Sequence, residues 1–290
     1  MCNKNISNTS TSKFISDILY LRGVDCAVIC PGSRNTPLTK AFIENKKIKC
    51  YSQIDERAAA YFALGIARTN NKPIAIITTS GTAVANLMPA VIEASLSKIP
   101  LILLTADRPK ELIHTGASQT IDQVNLFGSY VRKMIDFDLK DNRISEKFEK
   151  IHQFLDYGLG NKTLLPPGPL HFNFRFDEPL IDKHINKLKI IKHKIYKRKF
   201  DKVLLGEFKN PLIICGPLDK KTSDKALISL SEEIGAPILA DSLSQLRFNT
   251  ISEKINVYYD SYIQSIKTKP DIILRFGDKP VSKNLNLFID

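Results

Sequence analysis

The sequence predicts an α/β protein with a doubly wound parallel sheet, followed by a second, incomplete α/β domain. Three observations lead to this prediction. Short, almost wholly apolar runs alternate with segments whose apolar residues recur at helical spacing. Such runs are typical of parallel strands that helices cover on both faces. Loops rich in glycine and polar residues follow several of these runs, where ligands bind in open parallel sheets.

Five strands and five helices are predicted in the first part of the chain. The predicted strands are 26–30, 48–53, 73–79, 101–105 and 170–174. The predicted helices run from a cap at Ser10 or Ser12 to Gly23, from Thr36 to Glu44, from Arg57 to Arg68, from Asn86 to Ser97 and from Glu146 to Leu159. On the third helix, Ala59, Phe62, Ala63 and Ile66 share one apolar face. Pro89 has to lie in the first turn of the fourth helix, or that helix starts irregularly near Ala83.

The domain organisation follows from a shift in composition. Residues 1–182 form the predicted first domain, residues 183–204 a basic linker, and residues 205–290 the second domain. The second domain has predicted strands at 211–215, 237–240 and 271–275, and helices at 223–234 and from about Ser282. This stretch is short for a doubly wound domain, and we therefore predict that the second domain is incomplete.

Charge and composition exclude several classes of protein. The net charge is +12, and the segment 183–202 alone has nine basic residues and one acid, a net of +8. This segment lacks the motifs of a nucleic-acid-binding module, so a solvated linker is the favoured interpretation. No apolar stretch is long enough to cross a membrane, and the N-terminus lacks the apolar core of a signal peptide. We predict a cytoplasmic protein with no nucleic-acid partner and no membrane span. The cysteine and histidine spacings predict no metal ligands.

Four stretches carry the candidate chemistry: 31–37, 55–57, 79–82 and 105–109. Because each follows a predicted parallel strand, they should meet at one edge of the sheet. Each also has a structural explanation. Ser33 suits a turn, and Arg108 could pair with Asp107. Glu56 lies where the helix macrodipole favours an acid, by about 0.3–1 kcal/mol. We favour a binding site over four unrelated structural features.

Five motifs in register resemble those of a known enzyme family. They are Pro31-Gly-Ser-Arg-Asn-Thr-Pro-Leu-Thr39, Asp55-Glu-Arg57, Thr79-Ser-Gly-Thr-Ala-Val-Ala-Asn86, Leu103-Leu-Thr-Ala-Asp-Arg-Pro109 and Gly116-Ala-Ser-Gln-Thr120. The chain closely resembles the 2-succinyl-5-enolpyruvyl-6-hydroxy-3-cyclohexene-1-carboxylate synthases, thiamine-diphosphate-dependent transferases of menaquinone and phylloquinone biosynthesis. The match is continuous over about residues 14–179 and looser beyond. Acetolactate synthases resemble it only in the carboxylate and the Ser-Gly loop.

The resemblance implies a pyrimidine-binding domain at residues 1–182, followed by a middle domain without cofactor chemistry. It implies that Glu56 is catalytic and hydrogen-bonds a pyrimidine nitrogen of thiamine diphosphate, so that the cofactor can deprotonate its own thiazolium carbon. The substrates it implies are 2-oxoglutarate and isochorismate. The cofactor-binding residues it implies are Glu56, Ser80, Gly81, Thr82 and Gln119, and the substrate-binding residues are Ser33, Arg34, Arg108, Gln119 and Lys283.

Two departures from the family pattern stand out. Asn284 follows Lys283 where many relatives have arginine, which puts the substrate role of this stretch in doubt. The Gly-Asp-Gly stretch that holds Mg²⁺ or Mn²⁺ and the diphosphate is missing, since Gly277-Asp278 is followed by Lys279. We therefore predict the N-terminal half of a homodimeric or homotetrameric enzyme, inactive alone. The alternatives are another thiamine-diphosphate-dependent 2-oxo acid ligase or decarboxylase, and a non-catalytic binding module.

Overall fold

The computed structural model describes residues 6–161, 165–182, 188, 206–218, 223–249 and 251–290. The chain forms two compact units, residues 1–199 and 200–290. The predicted basic linker lies outside the described residues except for residue 188. The domain boundaries predicted at 182 and 205 stay predictions.

The first unit alternates helices and strands along the chain. Its strands are β1 (Cys26–Ile29), β2 (Lys49–Ser52), β3 (Ile74–Thr78), β4 (Leu101–Asp107), β5 (Lys133–Asp138) and β6 (Leu170–Arg175). Its helices are α1 (Asn8–Leu21), α2 (Thr36–Glu44), α3 (Glu56–Asn70), α4 (Thr82–Ala85), α5 (Met88–Leu96), α6 (Ile144–Glu149) and α7 (Ile151–Leu159). Short 3₁₀ turns occur at Lys110–Leu112 and Gly128–Tyr130.

The six strands form one parallel sheet in the order β2-β1-β3-β4-β6-β5, which confirms the predicted fold class. Alternate strand residues point to opposite faces. Ile77 and Leu104 pack in one core with α1, α2, α6 and α7, whereas Ile76 and Leu103 pack in the other with α3, α4 and α5. From β1 the chain goes first to β2 on one side and then to β3 on the other. This reversal, where open α/β sheets bind ligands, lies between β1 and β3.

Five details of the first unit differ from the prediction. The helix predicted at 146–159 is divided into α6 and α7 at Lys150. The edge strand β5 was not predicted, although polar and apolar residues alternate from Lys133 to Asp138. Ser7 caps α1, so the predicted caps Ser10 and Ser12 were wrong: both lie buried inside that helix. Phe62 does not share the buried face of α3, because 38% of it is exposed and it packs edge-on against Tyr51.

The fifth difference is a break in the helix predicted at 86–97. The structure has two helices here, a single turn, α4, and then α5, which begins at Met88. Pro89 lies in the first turn of α5, where its missing N–H has no intrahelical partner to lose. The prediction that Pro89 lies in a first turn is confirmed.

The second unit is a smaller α/β sandwich. Its strands are β7 (Pro211–Cys215), β8 (Ile238–Ala240), β9 (Ile255–Asn256) and β10 (Ile272–Phe276), and its helices are α8 (Asp224–Ile234), α9 (Leu246–Asn249) and α10 (Lys283–Ile289). The strands are parallel in the order β10-β7-β8-β9. Short 3₁₀ turns occur at Tyr259–Ser261 and Ile263–Ser265. Leu227 of α8 and Leu285 of α10 pack on opposite faces of this sheet.

None of the helices within the described ranges is both long and apolar enough to cross a membrane.

We expect Asp141, just before α6, to make stability depend on pH. Its carboxylate accepts from Arg143 N at 2.9 Å and pairs with Lys147 Nζ at 2.9 Å. These hydrogen bonds lower the pKa of Asp141 to about 2. A carboxyl whose folded pKa is depressed stabilises the protein above pH ~4, and this contribution is lost as the pH falls toward ~2. Asp141→Asn should therefore reduce the pH dependence of the unfolding midpoint over this window. It should lower the free energy of unfolding by on the order of 1 kcal/mol at pH 7. An unchanged pH profile in urea unfolding would contradict the prediction.

Candidate functional site

The candidate site lies at the carboxyl ends of the strands, around the reversal between β1 and β3. The loops that follow these two strands touch, since a Cβ added at Gly32 would lie 2.5 Å from Thr79 Cβ. The loop after β3 in turn touches the segment after β4, because a Cβ at Gly81 would lie 2.9 Å from Gln119 Cγ. Since Asn86, in the same motif as Gly81, also donates to Glu56 at 3.4 Å, the structure brings four of the five motifs into direct contact.

Glu56 is the first residue of α3, directly after the loop that leaves β2. The helix cap is its neighbour Asp55, whose Oδ1 accepts from Ala58 N at 2.7 Å. The carboxylate of Glu56 is half-buried and accepts from Asn86 Nδ2 at 3.4 Å. Its negative charge also reaches Cys30: burial raises the pKa of this thiol to about 12, and Glu56 adds to the shift. Capping therefore does not explain the presence of Glu56.

Two arginines, Arg34 and Arg108, follow strands that end at the same edge of the sheet. Arg34 is 7% exposed and donates to Phe176 O at 3.2 Å, and its guanidinium pairs with Glu178 Oε1 at 3.4 Å. Burial lowers the pKa of Arg34, and the positive charge of Arg108 lowers it further. Two cations at one sheet edge attract an anion, and Glu178 pairs with Arg34.

The side chain of Arg108 does not form the ion pair with Asp107 that the structural explanation predicts. Asp107 accepts from the backbone N of Arg108 at 2.8 Å, but its ion pair is with Arg175, at 3.3 Å. The buried Nε of Arg108 has no hydrogen-bond partner among the described residues. A cation without a protein acceptor at a ligand-binding edge suits an anionic ligand. Ser33 is exposed nearby, and its carbonyl accepts from Thr36 Oγ1 at 2.6 Å.

The Ser80–Thr82 loop is held by the segment that follows β4. Ser80 is buried, and its hydroxyl donates to the carbonyl of Gln119 at 2.9 Å. Gly81 N donates to Gln123 Oε1 at 2.8 Å. Gln119 itself is exposed with a φ of 59°. Two of the donors that the sequence offered to a ligand are therefore used inside the protein. Thr82, at the start of α4, is exposed.

Lys283 belongs to the second unit. It is exposed at the start of α10, where the Ser282 hydroxyl caps the helix. Asn284, in the place of the family arginine, donates from Nδ2 to Asp260 O at 3.3 Å. The buried Asp241 holds this stretch by accepting from Val281 N at 2.9 Å. The roles predicted for all these residues stay predictions.

Sequence reasoning missed a buried polar network under the site. Its members are Thr105, Asp107, Gln123, Asp136, His171, Asn173 and Arg175. Burial lowers the pKa of His171 to about 3 and raises that of Asp107. A signal was present in β6: in Leu-His-Phe-Asn-Phe-Arg the polar residues alternate with apolar ones although both faces of the strand are buried.

Gly81 provides a test of the close packing at this edge. Its φ of 81° and ψ of −145° belong to a region that only glycine adopts easily. Gly81→Ala should lower the free energy of unfolding by about 1–3 kcal/mol, as measured by urea denaturation. Gly65, inside α3 with open space around it, is the matched control. There Gly65→Ala should raise stability by about 0.5–1 kcal/mol. Equal effects of the two substitutions would contradict the prediction.

The residues present suit part of a thiamine diphosphate site. Glu56 offers an accessible carboxylate to a nitrogen heterocycle, and the unpartnered Arg108 Nε offers a donor to an anionic substrate. No group of three His, Cys, Asp or Glu side chains that could hold a metal ion occurs among the residues that the structure describes.

Comparisons with known proteins find one matching family and several similar proteins. Residues 9–126 match the family described as "Thiamine pyrophosphate enzyme, N-terminal TPP binding domain". The chain is also similar to three bacterial proteins named 2-succinyl-5-enolpyruvyl-6-hydroxy-3-cyclohexene-1-carboxylate synthase. The one from Listeria innocua is 37% identical over 96% of this chain and 51% of the relative. For Chlorobium phaeobacteroides the values are 40%, 100% and 53%, and for Geobacillus kaustophilus they are 39%, 94% and 51%. The chain thus spans about half the length of these relatives.

Proposed function

The chain belongs to the 2-succinyl-5-enolpyruvyl-6-hydroxy-3-cyclohexene-1-carboxylate synthase family, and on this premise we propose that it supplies the pyrimidine-binding part of such an enzyme. The complete enzyme would decarboxylate 2-oxoglutarate and add the remaining four-carbon unit to isochorismate. Thiamine diphosphate, when bound, supplies the carbon nucleophile for this reaction. The observation that carries the proposal is the buried Nε of Arg108, which has no hydrogen-bond partner among the described residues and lies at the same sheet edge as Glu56.

Glu56 is the acid–base group in this proposal. A carboxylate that faces a pyrimidine nitrogen can hold or release a proton there. Asn86, 3.4 Å from Glu56 Oε2, holds one carboxylate oxygen and leaves the other to the heterocycle.

The arginines are the substrate-binding groups. Both proposed substrates carry two carboxylates, and a guanidinium binds a carboxylate through two parallel hydrogen bonds. Arg34 is held rigidly by Phe176 O and Glu178, so it is oriented before a substrate arrives. In the proposal Ser33, Gln119 and Lys283 complete the substrate contacts, and Ser80, Gly81, Thr82 and Gln119 border the cofactor.

We propose further that the diphosphate and a Mg²⁺ or Mn²⁺ ion are held by residues outside these 290. A cytoplasmic homodimer or homotetramer is the proposed state of the complete enzyme. The helices α3 and α5 pack against each other. Exposed apolar side chains on and beside these two helices support the proposed homodimer or homotetramer. Ile54 is 88% exposed, Leu96 69% and Tyr61 46%.

A fusion protein tests the proposal. Residues 1–290 are joined to the half of the Listeria innocua relative that this chain does not match, and the intact relative is the positive control. With thiamine diphosphate and Mg²⁺, we expect release of carbon dioxide from 2-oxoglutarate and a coupled product that requires isochorismate. Pyruvate and benzoylformate replace 2-oxoglutarate in parallel assays. Preference for one of these acids would favour a different ligase or decarboxylase.

The two remaining outcomes are also informative. A folded fusion protein that binds thiamine diphosphate but turns over none of the acids would favour the non-catalytic binding module. The 290 residues alone, with the same cofactors, should show no decarboxylation. Turnover by this chain alone would overturn the proposal that it supplies only part of the site.

A further inference from the structure

Gln123 connects three separate parts of the first unit. Its side chain is 1% exposed. Oε1 accepts from Gly81 N, in the loop after β3, at 2.8 Å. Nε2 donates to Ala106 O of β4 at 3.1 Å and to Asn173 Oδ1 of β6 at 2.8 Å. The amide nitrogen has two N–H donors, and these two hydrogen bonds use both of them. The amide oxygen accepts from the glycine loop.

The orientation of the Gln123 amide is fixed by the hydrogen bonds of its partner Asn173. Asn173 donates from Nδ2 to Asp107 Oδ2 and to Asp136 Oδ1, each at 2.9 Å. Both carboxylates pair with Arg175, at 3.3 and 2.9 Å, and a carboxylate oxygen paired with a guanidinium acts as an acceptor. Asn173 therefore has to turn its oxygen toward Gln123, and Gln123 has to turn its own oxygen toward Gly81.

The loop that Gln123 holds is conformationally demanding. Gly81 has a φ of 81°, and Gln119, four residues before Gln123, has a φ of 59°. Residues other than glycine rarely adopt a positive φ, so the surrounding contacts have to stabilise the backbone of Gln119. Those contacts are the Ser80 hydroxyl on the Gln119 carbonyl and the Gly81 N–H on Gln123.

We infer that Gln123 is a positioning residue of the site: it joins the Ser80–Thr82 loop to the Gln119 segment and sets where both meet the cofactor. The inference rests on the proposed function for its meaning, but the hydrogen bonds exist without it. Gln123 touches neither cofactor nor substrate in this role. It acts through Gly81 and Gln119, and the alternating donors and acceptors that start at Arg175 fix its direction.

Amide hydrogen exchange on the 290-residue chain alone tests the link. In Gln123→Met the peptide covering residues 79–83 should exchange about tenfold faster, because one buried hydrogen bond is lost. Peptides of β7 in the second unit should be unchanged. Gln153→Met, at an exposed glutamine of α7, is the matched control and should change nothing near residue 81. Wild-type exchange at 79–83 in Gln123→Met would overturn the inference.

Gln123→Glu separates this role from mere packing. A charged carboxylate would face the acceptors Ala106 O and Asn173 Oδ1, whereas a protonated one can donate to one of them and still accept from Gly81 N. Exchange at 79–83 in this variant should be fast at neutral pH and return toward the wild-type rate as the pH falls. Wild-type protein followed over the same pH range corrects for the intrinsic pH dependence. A pH-independent difference between the two would overturn the inference.

The fusion protein supplies the functional readout. Gln123→Met should raise the KM for thiamine diphosphate by about ten- to a hundredfold, while Gln153→Met leaves it unchanged. Faster exchange at 79–83 with an unchanged KM and kcat would show a structural link only and overturn the positioning role. If the wild-type fusion protein is inactive, the proposed function fails, and the exchange experiments alone decide whether Gln123 fixes the loop.

Discussion

Replacing Glu56 with glutamine should slow proton loss from the thiazolium carbon of bound thiamine diphosphate by about a hundred- to ten-thousandfold. Glutamine keeps the shape of the side chain and can still hydrogen-bond a ring nitrogen. It cannot hold or release the proton that a carboxylic acid shares with that nitrogen. Cofactor affinity should stay within a modest factor of the wild-type value. Deuterium exchange at the thiazolium carbon, measured on the fusion protein, gives the rate.

The structure supplies a matched control for this prediction. Glu93 is an exposed glutamate on α5 that accepts from Ser97 Oγ at 2.9 Å. Glu93→Gln should leave the exchange rate at the wild-type value. If Glu56→Gln also exchanges at the wild-type rate while it still binds the cofactor, Glu56 does not have the proposed role. Glu93→Gln should unfold at the wild-type urea concentration. Glu56→Gln should lower the free energy of unfolding by no more than about 0.3–1 kcal/mol, the contribution of an acid in the first turn of a helix.

Asp156→Ala should destabilise the first unit by about 3–5 kcal/mol. Asp156 of α7 forms an ion pair with Arg22, which follows α1, at 2.5 Å, and both side chains are only 3% exposed. Arg22 also donates to His152 O at 3.1 Å. Removing the carboxylate leaves a buried guanidinium whose charge is no longer balanced. Urea unfolding of the 290-residue chain at pH 7 measures the loss.

A double variant separates the cost of the unpaired charge from the value of the pair. Arg22→Met combined with Asp156→Leu removes both charges and fills the volume with apolar atoms. Its stability should lie within about 1 kcal/mol of the wild type, or above it, because the desolvation of both ions no longer opposes folding. A double variant as unstable as Asp156→Ala would show that the loss comes from packing and not from the unpaired charge.

The fold of the first unit could be predicted largely from continuous apolar runs. The strands around Ile76 and Leu103 are buried on both faces, so their sequences contain almost no polar residue. The edge strand β5 escaped prediction because only one of its faces is buried, and its alternating pattern is weaker. The cap of α1 was misplaced because four Ser and Thr residues near Ser7 are equivalent by type. Tertiary burial, which the sequence does not state, selects among them.

The candidate site was predictable where residues follow strands, and not where they act through space. Arg34, Glu56 and Arg108 lie in the loops or at the helix start that follow predicted strands, and topology places such residues at one edge. Gln123 lies in an irregular segment, and only the folded chain places it between Gly81 and Asn173. Its partners lie many residues away along the chain, so no local pattern announces them.

The division of labour between Asp55 and Glu56 has a practical consequence. Asp55 supplies the hydrogen bond that begins α3, so the chain does not depend on Glu56 to form that helix. Under the proposed function, these adjacent carboxylates have separate roles, one in folding and one in the reaction. A library selected for thermal tolerance would penalise changes at position 55, by about 0.5–2 kcal/mol for alanine. It would penalise changes at position 56 by no more than about 0.3–1 kcal/mol, which is what the macrodipole supplies. Protein engineers can therefore vary the acid at position 56 in a scaffold that stays folded, and read its effect on the reaction directly.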